Sequence, residues 1–204
     1  KRLQYLYYDK ENQMVLMTRT DVTDIYLEQK RQNKLLQRAL MQAQTDPLTG
    51  LYNQAVKEMI AERLEGEDGI AAVLFMDLDN FKVINDTLGH IKGDLLLQEV
   101  AGVLKKTLRA SDLSGRVGGD EFIALLHPVS SPAGVRQCVQ RICSSVHSVM
   151  DRDFNDFSVT CSIGISMYPA DGNDIAALVE KADKAAYAVK RKGKNGFAFY
   201  SDLL

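Results

Sequence analysis

A continuous apolar run, IAAVLFM at residues 70–76, constrains the fold of this chain more than any other stretch. A strand with one solvated face alternates apolar and polar side chains, and this run does not alternate. Its length is that of a strand, so it predicts a central strand buried on both faces. The run ends abruptly in Asp77-Leu78-Asp79, and strand ends are where ligands bind in α/β sheets.

Periodicity assigns the remaining elements of the sheet and its covering helices. Residues 157–167 alternate strictly, and apolar residues recur at core-helix spacing across 132–149. Further helices are predicted over about 80–87, from Gly93-Asp94 to about 108 and over 174–191, and further strands near 113–117, 121–127 and 196–201. The order β–α–α–β–β–α–β–α–β favours the α+β class, a mixed β-sheet flanked by helices and preceded by an N-terminal linker helix.

Composition excludes several classes of partner. The net charge of −2 provides no global basic field, so we expect no nucleic acid partner. Apolar runs stay below the ~18 residues of a membrane span, so we expect no membrane contact by this fragment. Cys138, Cys143 and Cys161 show no CxxC spacing and predict buried free thiols in a reducing compartment, which places the chain in the cytoplasm.

The first 45 residues differ from the rest. Residues 4–20 predict two short strands around a polar turn, and 25–44 predict a helix because they lack Gly and Pro. The apolar stripe of that helix is thin, which favours a solvated connector or a weak two-stranded coiled coil. Since the chain begins at Lys1 in what reads as a strand, we interpret it as part of a longer protein. We expect 1–24 to be the tail of an upstream domain, 25–45 a linker helix and 46–204 the compact domain.

The segment RVGGDEF at 116–122 is open to two interpretations: an ordinary hairpin turn carrying surface acids, or a turn that aims carboxylates at a metal. If Gly118-Gly119 form a two-residue turn, Asp120 and Glu121 begin the return strand and point to opposite faces. One of them could then join Asp77 across neighbouring strands. Two carboxylates and a main-chain carbonyl suit Mg²⁺ that bridges to phosphates.

Polar residues after the central strand could bind a nucleotide. Phe81 and Lys82 fall in the first turn of a predicted helix, where free N–H groups and a lysine form a phosphate site. Asn85 and Asp94 together could read a guanine edge, although Asp94 alone is also typical of a helix N-terminus. Asp79 is equally consistent with a solvated carboxylate, a helix cap or a site residue.

Four cations, Lys190, Arg191, Lys192 and Lys194, cluster near the end of the last predicted helix. They are consistent with a favourable charge–dipole interaction or with a cationic arm over a triphosphate.

Taken together, five segments resemble the GGDEF family of diguanylate cyclases, from about Asp46 to Tyr200. They are DPLTGLYN at 46–53, DLDNFKVINDTLGHIKGD at 77–94, RVGGDEF at 116–122, SIGIS at 162–166 and ADKAAYAVKRKGKN at 182–195. The resemblance implies a palm-like fold, as in class III nucleotide cyclases and polymerases. It also implies a reaction in which two GTP yield cyclic di-GMP and two pyrophosphates in a homodimer, with Mg²⁺ as cofactor and Mn²⁺ as an alternative.

The resemblance also implies roles for individual residues. Asp77, the Leu78 carbonyl and Asp120 correspond to the Mg²⁺ ligands. Asp120 would also help to deprotonate the 3′-hydroxyl, with Glu121 as acidic support and Lys82 as a further catalytic group. The implied substrate contacts are Asn85 and Asp94 with the guanine, and Phe81, Lys82, Lys190 and Lys194 with the triphosphate.

A second ligand site is implied by RASD at 109–112. The spacing of Arg109 and Asp112 from the glycine pair is that of the family's product-inhibition site, which would bind cyclic di-GMP. The alternative is an ion pair at a helix end.

Three positions depart from the family pattern: Gln54 and Lys194 stand where arginine is usual, and Val189 where alanine is usual. Lysine keeps the charge but loses the fork geometry, which leaves fine phosphate positioning open. Upstream, DVTD at 21–24 resembles the junction between a PAS sensor domain and a signalling helix.

Two other functions remain open: a catalytically silent receptor for GTP or cyclic di-GMP, and a mononucleotide cyclase or polymerase-like transferase. The acidic residues at 77, 120 and 121 argue against a silent receptor, because a domain without turnover does not need them. The pair Asn85 and Asp94, which could read guanine, argues against the mononucleotide cyclase or transferase.

Overall fold

The computed structural model describes residues 2–21, 23–65, 69–153, 157 and 159–204. Contacts divide the chain into two units, Lys1–Ala43 and Gln44–Leu204. Val22, inside the motif that resembles a PAS junction, and Ser158, inside the alternating segment, lie outside the described residues. Within the described part, no helix has the length and apolar character needed to cross a membrane.

The first unit consists of a hairpin and most of a long helix. Strands β1 (Arg2–Asp9) and β2 (Met14–Asp21) pair antiparallel, and the Asp9 carboxylate accepts hydrogen bonds from the turn amides of Glu11 and Asn12. Helix α1 (Thr23–Gln44) buries none of its residues in this chain. The prediction that this is not a core helix is therefore confirmed.

The second unit contains the five-stranded sheet. Its strands are β3 (Ala71–Asp79), β4 (Leu113–Arg116), β5 (Glu121–Leu126), β6 (Thr160–Tyr168) and β7 (Gly196–Phe199). The order is β4-β5-β3-β6-β7, and only β6 and β7 of these pair in parallel, so the sheet is mixed as predicted.

Helices cover both faces of the sheet. They are α2 (Val56–Leu64), α3 (Phe81–Leu88), α4 (His90–Thr107), α5 (Pro132–Asp153) and α6 (Ile175–Arg191), and a short 3-10 helix follows at Tyr200–Leu203. The sequence did not assign α2, whose buried side chains recur every fourth residue (Val56, Ile60, Leu64). Helix α4 begins at His90, earlier than expected, because Gly89 at φ 83° ends α3 and leads directly into α4.

Strand β3 is the centre of the core, as its unbroken apolar run predicts. Its even-numbered residues Ala72, Leu74 and Met76 pack into a cluster with α4 and α5. Its odd-numbered residues Ala71, Val73 and Phe75 pack into a second cluster with α2 and α6. Because both faces are covered, the polar end of β3 at Asp77–Asp79 opens at one edge of a rigid two-sided core.

The hairpin of the RVGGDEF segment differs from the predicted two-residue turn. Strand β4 ends at Arg116 and β5 begins at Glu121, and the connection is closed by a hydrogen bond from the Val117 amide to the Glu121 carbonyl. The glycines with positive φ among the described residues are Gly50, Gly89 and Gly193, so the pair at 118–119 does not form the primed turn of a tight hairpin. The wider loop leaves the Asp120 carbonyl free to accept from the Leu78 amide at 3.3 Å.

Candidate active site

Three carboxylates meet at the polar end of β3. Asp77 and Glu121 are direct partners in the antiparallel register of β3 and β5. Asp120 lies in the loop just before β5, so strand alternation does not govern its direction. The charge of Asp77 acts on both Asp120 and Glu121, which shows that the three groups share one electrostatic neighbourhood.

The three carboxylates, Asp77, Asp120 and Glu121, repel one another, and the neighbouring cations offset this repulsion only in part. Burial raises the pKa of the Asp120 carboxyl above its ordinary value, and the Asp77 carboxylate raises it further, while Lys190 and Arg116 oppose the shift. The pKa of Glu121 is likewise raised by burial and then by the neighbouring carboxylates, Asp77 first. A cation placed here would relieve this repulsion.

Lys190 of α6 supplies part of the missing charge. Its Nζ lies 2.6 Å from the Asp77 carboxylate, and both side chains are partly shielded from solvent. The lysine that the resemblance implies as a triphosphate contact is therefore already next to an implied metal ligand.

A divalent cation fits this donor set only with help from other oxygens. Among the described residues, no group of three or more His, Cys, Asp and Glu side chains is arranged to hold a metal ion. Mg²⁺ usually takes one or two carboxylates and completes its six-fold shell with water and substrate phosphates. Asp77, Asp120 and the Leu78 carbonyl match that pattern.

The repulsion makes a pH-dependent prediction for metal-free protein. Because the folded-state pKa of Asp120 is raised, the folded chain binds its proton more tightly than the unfolded chain, and stability falls as pH rises from about 4 through the raised pKa. Asp120→Asn should therefore raise the Tm at neutral pH by about 1–4 °C, with the gap closing towards pH 4. Thermal melts with a chelator across this pH range measure it, and a Tm below wild type at neutral pH would contradict it.

Asp79 has a role that the sequence did not identify. Its side chain is 2% exposed and accepts hydrogen bonds from the Thr160 hydroxyl (2.6 Å), the Ser162 hydroxyl (2.8 Å) and the Asn195 amide (3.2 Å). The interpretations as a solvated carboxylate or a helix cap are wrong, because the N-cap of α3 is Asn80 and makes no side-chain cap. Asp79 instead anchors the start of β6 and the loop after α6 to the end of β3.

The loop that Asp79 holds carries Lys194. The Lys194 ammonium donates to the Asn80 side-chain oxygen at 2.7 Å, next to the first turn of α3. In that turn Phe81 is buried and Lys82 is exposed. The structure thus brings the free amides of the α3 N-terminus together with the Lys194 cation, an arrangement suited to phosphate oxygens.

The two residues that the resemblance implies as guanine contacts, Asn85 and Asp94, lie on the adjacent helices α3 and α4. The Asn85 side chain of α3 sits against Gly93 of α4, so closely that a methyl group at Gly93 would overlap the Asn85 carboxamide. Asp94 follows Gly93 in α4 and is exposed. His90 is exposed at the start of α4.

Gly93→Ala is expected to displace the Asn85 carboxamide while α4 stays helical. For the GTP-dependent reaction that the resemblance implies, the KM for GTP should rise about tenfold, since one good hydrogen-bonding contact to the base contributes about 1–2 kcal/mol. Gly102→Ala in the same helix is the matched control, because nothing lies within 4 Å of a methyl group there. An unchanged KM in a folded Gly93→Ala protein would remove Asn85 from the substrate site.

A second network fixes the RVGGDEF hairpin. The Arg116 guanidinium pairs with Asp46 at 3.2 Å and donates to the Gly119 carbonyl at 2.8 Å. Gln54, where the family pattern has arginine, donates its side-chain amide to the Val117 carbonyl. Both partners of this network stand in recognisable motifs, Asp46 in DPLTG and Arg116 just before the glycine pair. Their spacing in the sequence, however, does not show that the two segments are in contact.

At the RASD segment, the carboxylate of Asp112 is occupied by main-chain groups. It accepts from the Arg109 amide at 2.8 Å and the His127 amide at 3.1 Å, which fixes the end of α4 against the end of β5. Arg109 is exposed and lines a pocket between α4 and α5. Both implied residues therefore border one cavity, with Asp112 tied into its wall.

Known proteins share this architecture and much of this sequence. The family described as "Diguanylate cyclase, GGDEF domain" matches residues 43–196. The chain is 40% identical over 181 residues to the diguanylate cyclase DgcP of Pseudomonas aeruginosa, covering 83% of this chain and 24% of that protein. It is 34% identical over 181 residues to the cyclic di-GMP phosphodiesterase PdeR of Escherichia coli, covering 88% of this chain and 27% of that protein. The chain thus spans about a quarter of the length of these relatives.

Among solved structures, one similar to this chain contains the coiled coil and GGDEF domain of DgcB from Caulobacter crescentus in complex with c-di-GMP. The TM-score is 0.72 at 29% identity, and the match covers 87% of this chain and 96% of that one. The palm-like α+β fold that the sequence predicted is confirmed by this likeness.

Proposed function

The chain belongs to the GGDEF domain family, and on that basis we propose that it is a diguanylate cyclase, which condenses two GTP into cyclic di-GMP and two pyrophosphates. The observation that carries the proposal is the convergence at one sheet edge of a carboxylate cluster, two lysines and a helix N-terminus. The two lysines are Lys190, beside Asp77, and Lys194, beside Asn80. The guanine-reading pair sits on α3 and α4, the helices that follow this edge.

In this proposal, different residues bind the base, the triphosphate and the metal ion. Asn85 and Asp94 bind the base, and the α3 amides near Phe81, with Lys82, Lys190 and Lys194, bind the triphosphate. Asp77, the Leu78 carbonyl and Asp120 would hold Mg²⁺, which supplies Lewis-acid stabilisation of the phosphate charge. Mn²⁺, with the same preference for oxygen, would serve as an alternative.

The reaction needs two such sites. The 3′-hydroxyl of each GTP attacks the α-phosphate of the other, a phosphoester bond forms, and pyrophosphate leaves. Asp120, whose raised pKa brings it nearer to that of a useful base, accepts or relays the hydroxyl proton, with Glu121 in support. Most of the rate enhancement comes from positioning and charge stabilisation.

Because one domain holds one GTP, we propose a homodimer in which two domains face each other. Helix α1 supports this assembly, since Ile25, Leu36 and Leu40 are all more than half exposed on a helix that buries nothing within its own chain. Such a helix gains stability by pairing with a second copy.

The domain assignment belongs to the same proposal. Residues 1–24 are a remnant of a PAS-like sensor domain, 25–45 the signalling helix and 46–204 the cyclase domain. The protein acts in the cytoplasm, where GTP is available.

Product identity tests the function. We expect purified protein with GTP and Mg²⁺ to yield cyclic di-GMP and pyrophosphate when the nucleotides are separated by chromatography, and ATP to yield no cyclic dinucleotide. Cyclic GMP or an oligonucleotide as product would favour a transferase instead.

The named activity of one relative keeps a second function open. PdeR is described as a phosphodiesterase, so a similar region occurs in a protein not named as a cyclase. In the alternative, this domain binds GTP or cyclic di-GMP without turnover. A verified dimer that binds GTP and forms no cyclic product would support the receptor.

We further propose product feedback at Arg109 and Asp112. Arg109→Ala should raise the concentration of cyclic di-GMP needed for half-inhibition at least about tenfold, because a guanidinium–phosphate pair contributes about 1.5–3 kcal/mol. Basal activity should remain unchanged, since Arg109 lies outside the carboxylate cluster. Product titration of wild type, Arg109→Ala and the surface control Lys184→Ala measures this, and equal inhibition of all three proteins would contradict an inhibitory site.

A further inference from the structure

Two cysteines that the proposed function does not use lie side by side. Cys143 of α5 and Cys161 of β6 have their sulfur atoms 4.0 Å apart, with the Cys161 thiol donating towards Cys143. Cys161 is 2% exposed, whereas Cys143 is only partly buried. Both are free thiols, as is Cys138, so the prediction of free thiols is confirmed.

The pair combines an accessible sulfur with a buried neighbour. The hydrogen bond from Cys161 lowers the pKa of the Cys143 thiol, which increases the reactive thiolate fraction at the more accessible of the two sulfurs. A disulfide requires the sulfurs to approach to about 2.05 Å. The two sulfurs must therefore come about 2 Å closer across the contact between α5 and β6.

We propose that Cys143 and Cys161 form a peroxide-sensitive pair that oxidises to an intramolecular disulfide. In the first step the Cys143 thiolate attacks one oxygen of the peroxide, the O–O bond breaks, and a sulfenic acid and hydroxide result. In the second step the Cys161 sulfur attacks the Cys143 sulfur, a water molecule leaves and the disulfide forms. Overall two thiols lose two electrons and two protons, and hydrogen peroxide is reduced to two water molecules.

The position of Cys161 connects this modification to the nucleotide site. Cys161 lies between Thr160 and Ser162, whose hydroxyls bind Asp79, and it pairs in register with Leu78 of β3. Formation of the disulfide would draw Cys161 towards α5 and shift the strand segment that holds Asp79. Resting on the proposed function, this predicts a lower cyclase rate in the oxidised protein and recovery after reduction.

The modification itself is tested without reference to activity. The 204-residue chain is treated with hydrogen peroxide, unfolded, alkylated at the remaining thiols, digested and analysed by mass spectrometry. We expect a peptide that cross-links Cys143 to Cys161, reversal by dithiothreitol, and Cys138 recovered as the alkylated thiol. The cross-link should also form in Cys138→Ser.

A trapping experiment distinguishes the order of events. In Cys161→Ala the second thiol is missing, so dimedone should label Cys143 as a sulfenic acid, whereas wild type should give little label because the disulfide forms first. Circular dichroism verifies that Cys161→Ala is folded. Cys143→Ser changes the partly buried cysteine instead, and the cross-link should be absent in that variant as well. Stable sulfenic or sulfinic acid at Cys143 in wild type, or oxidation confined to Cys138, would overturn the proposal.

The activity measurement separates this inference from the proposed function. If the cross-link forms in a chain that makes no cyclic di-GMP, the oxidation of the cysteine pair is supported and the proposed cyclase activity is refuted. A cyclase that peroxide inhibits equally in wild type and Cys143→Ser would refute the link between the cysteine pair and the site.

Discussion

Replacing Asp120 with asparagine should lower the rate of cyclic di-GMP formation at least about a thousandfold. The change removes one of the carboxylates that face Asp77 and would hold Mg²⁺, and interactions of this kind contribute several kcal/mol to the transition state. The fold should persist, because Asp120 lies in a loop and the amide keeps its size. Steady-state pyrophosphate release and chromatography of the product measure the effect.

The matched control is Asp86→Asn, which changes an exposed carboxylate on α3. It should retain activity within a factor of about two to three, since the charge of an exposed side chain is screened by solvent. If Asp120→Asn retained more than a tenth of wild-type activity in a folded dimer, Asp120 would be neither an essential metal ligand nor the proton acceptor.

Gly164→Ala is the change with the largest expected effect on stability. Gly164 of β6 lies directly under α6, where a methyl group would overlap the Ala182 carbonyl oxygen and the Ala186 nitrogen. Both obstacles are backbone atoms of a helix and cannot rotate aside, so α6 must move away from the sheet. We expect a loss of about 3 kcal/mol or more, and a fall in Tm of about 10 °C. Denaturant and thermal unfolding of the second unit measure it.

The same substitution should disturb the active site, because α6 carries Lys190 next to Asp77. The comparison variant is Gly134→Ala in α5, where the nearest atom to the added methyl group is the Ser131 hydroxyl at 4.0 Å. That variant should equal or slightly exceed wild-type stability, since alanine is the better helix former. Equal Tm values for the two variants would contradict the close approach of α6 to β6.

Local pattern was sufficient to predict much of this fold. The unbroken apolar run of β3 predicted burial on both faces, and the alternation of 157–167 predicted the apolar face of β6 that packs in the core. The opposite face of β6 is also buried, because Gly164 and Ser166 lie against α6, and the alternation did not predict this. Both signals depend on which side chains are buried, and burial is decided mainly by hydrophobicity. Helix α2 was missed because its spaced apolar side chains are few and follow a turn-rich segment.

Contacts between distant segments could not be predicted in the same way. Asp79 reads as an ordinary surface acid until Thr160, Ser162 and Asn195 are seen around it. The Arg116–Asp46 pair joins residues 70 positions apart, and nothing in either local sequence specifies the partner. The glycine pair misled the turn prediction for a related reason, since the loop geometry is set by Arg116 and Leu78 rather than by the glycines alone.

The central claim is that two copies of this chain each hold one GTP and join them. Its most direct test is the amount of cyclic di-GMP formed per chain across a dilution series, with the product identified by chromatography and the dimer fraction measured in parallel. We predict that cyclic di-GMP is the product and that its formation per chain falls with the dimer fraction. Constant activity per chain far below the dimer dissociation constant, or cyclic GMP as the product, would contradict the claim.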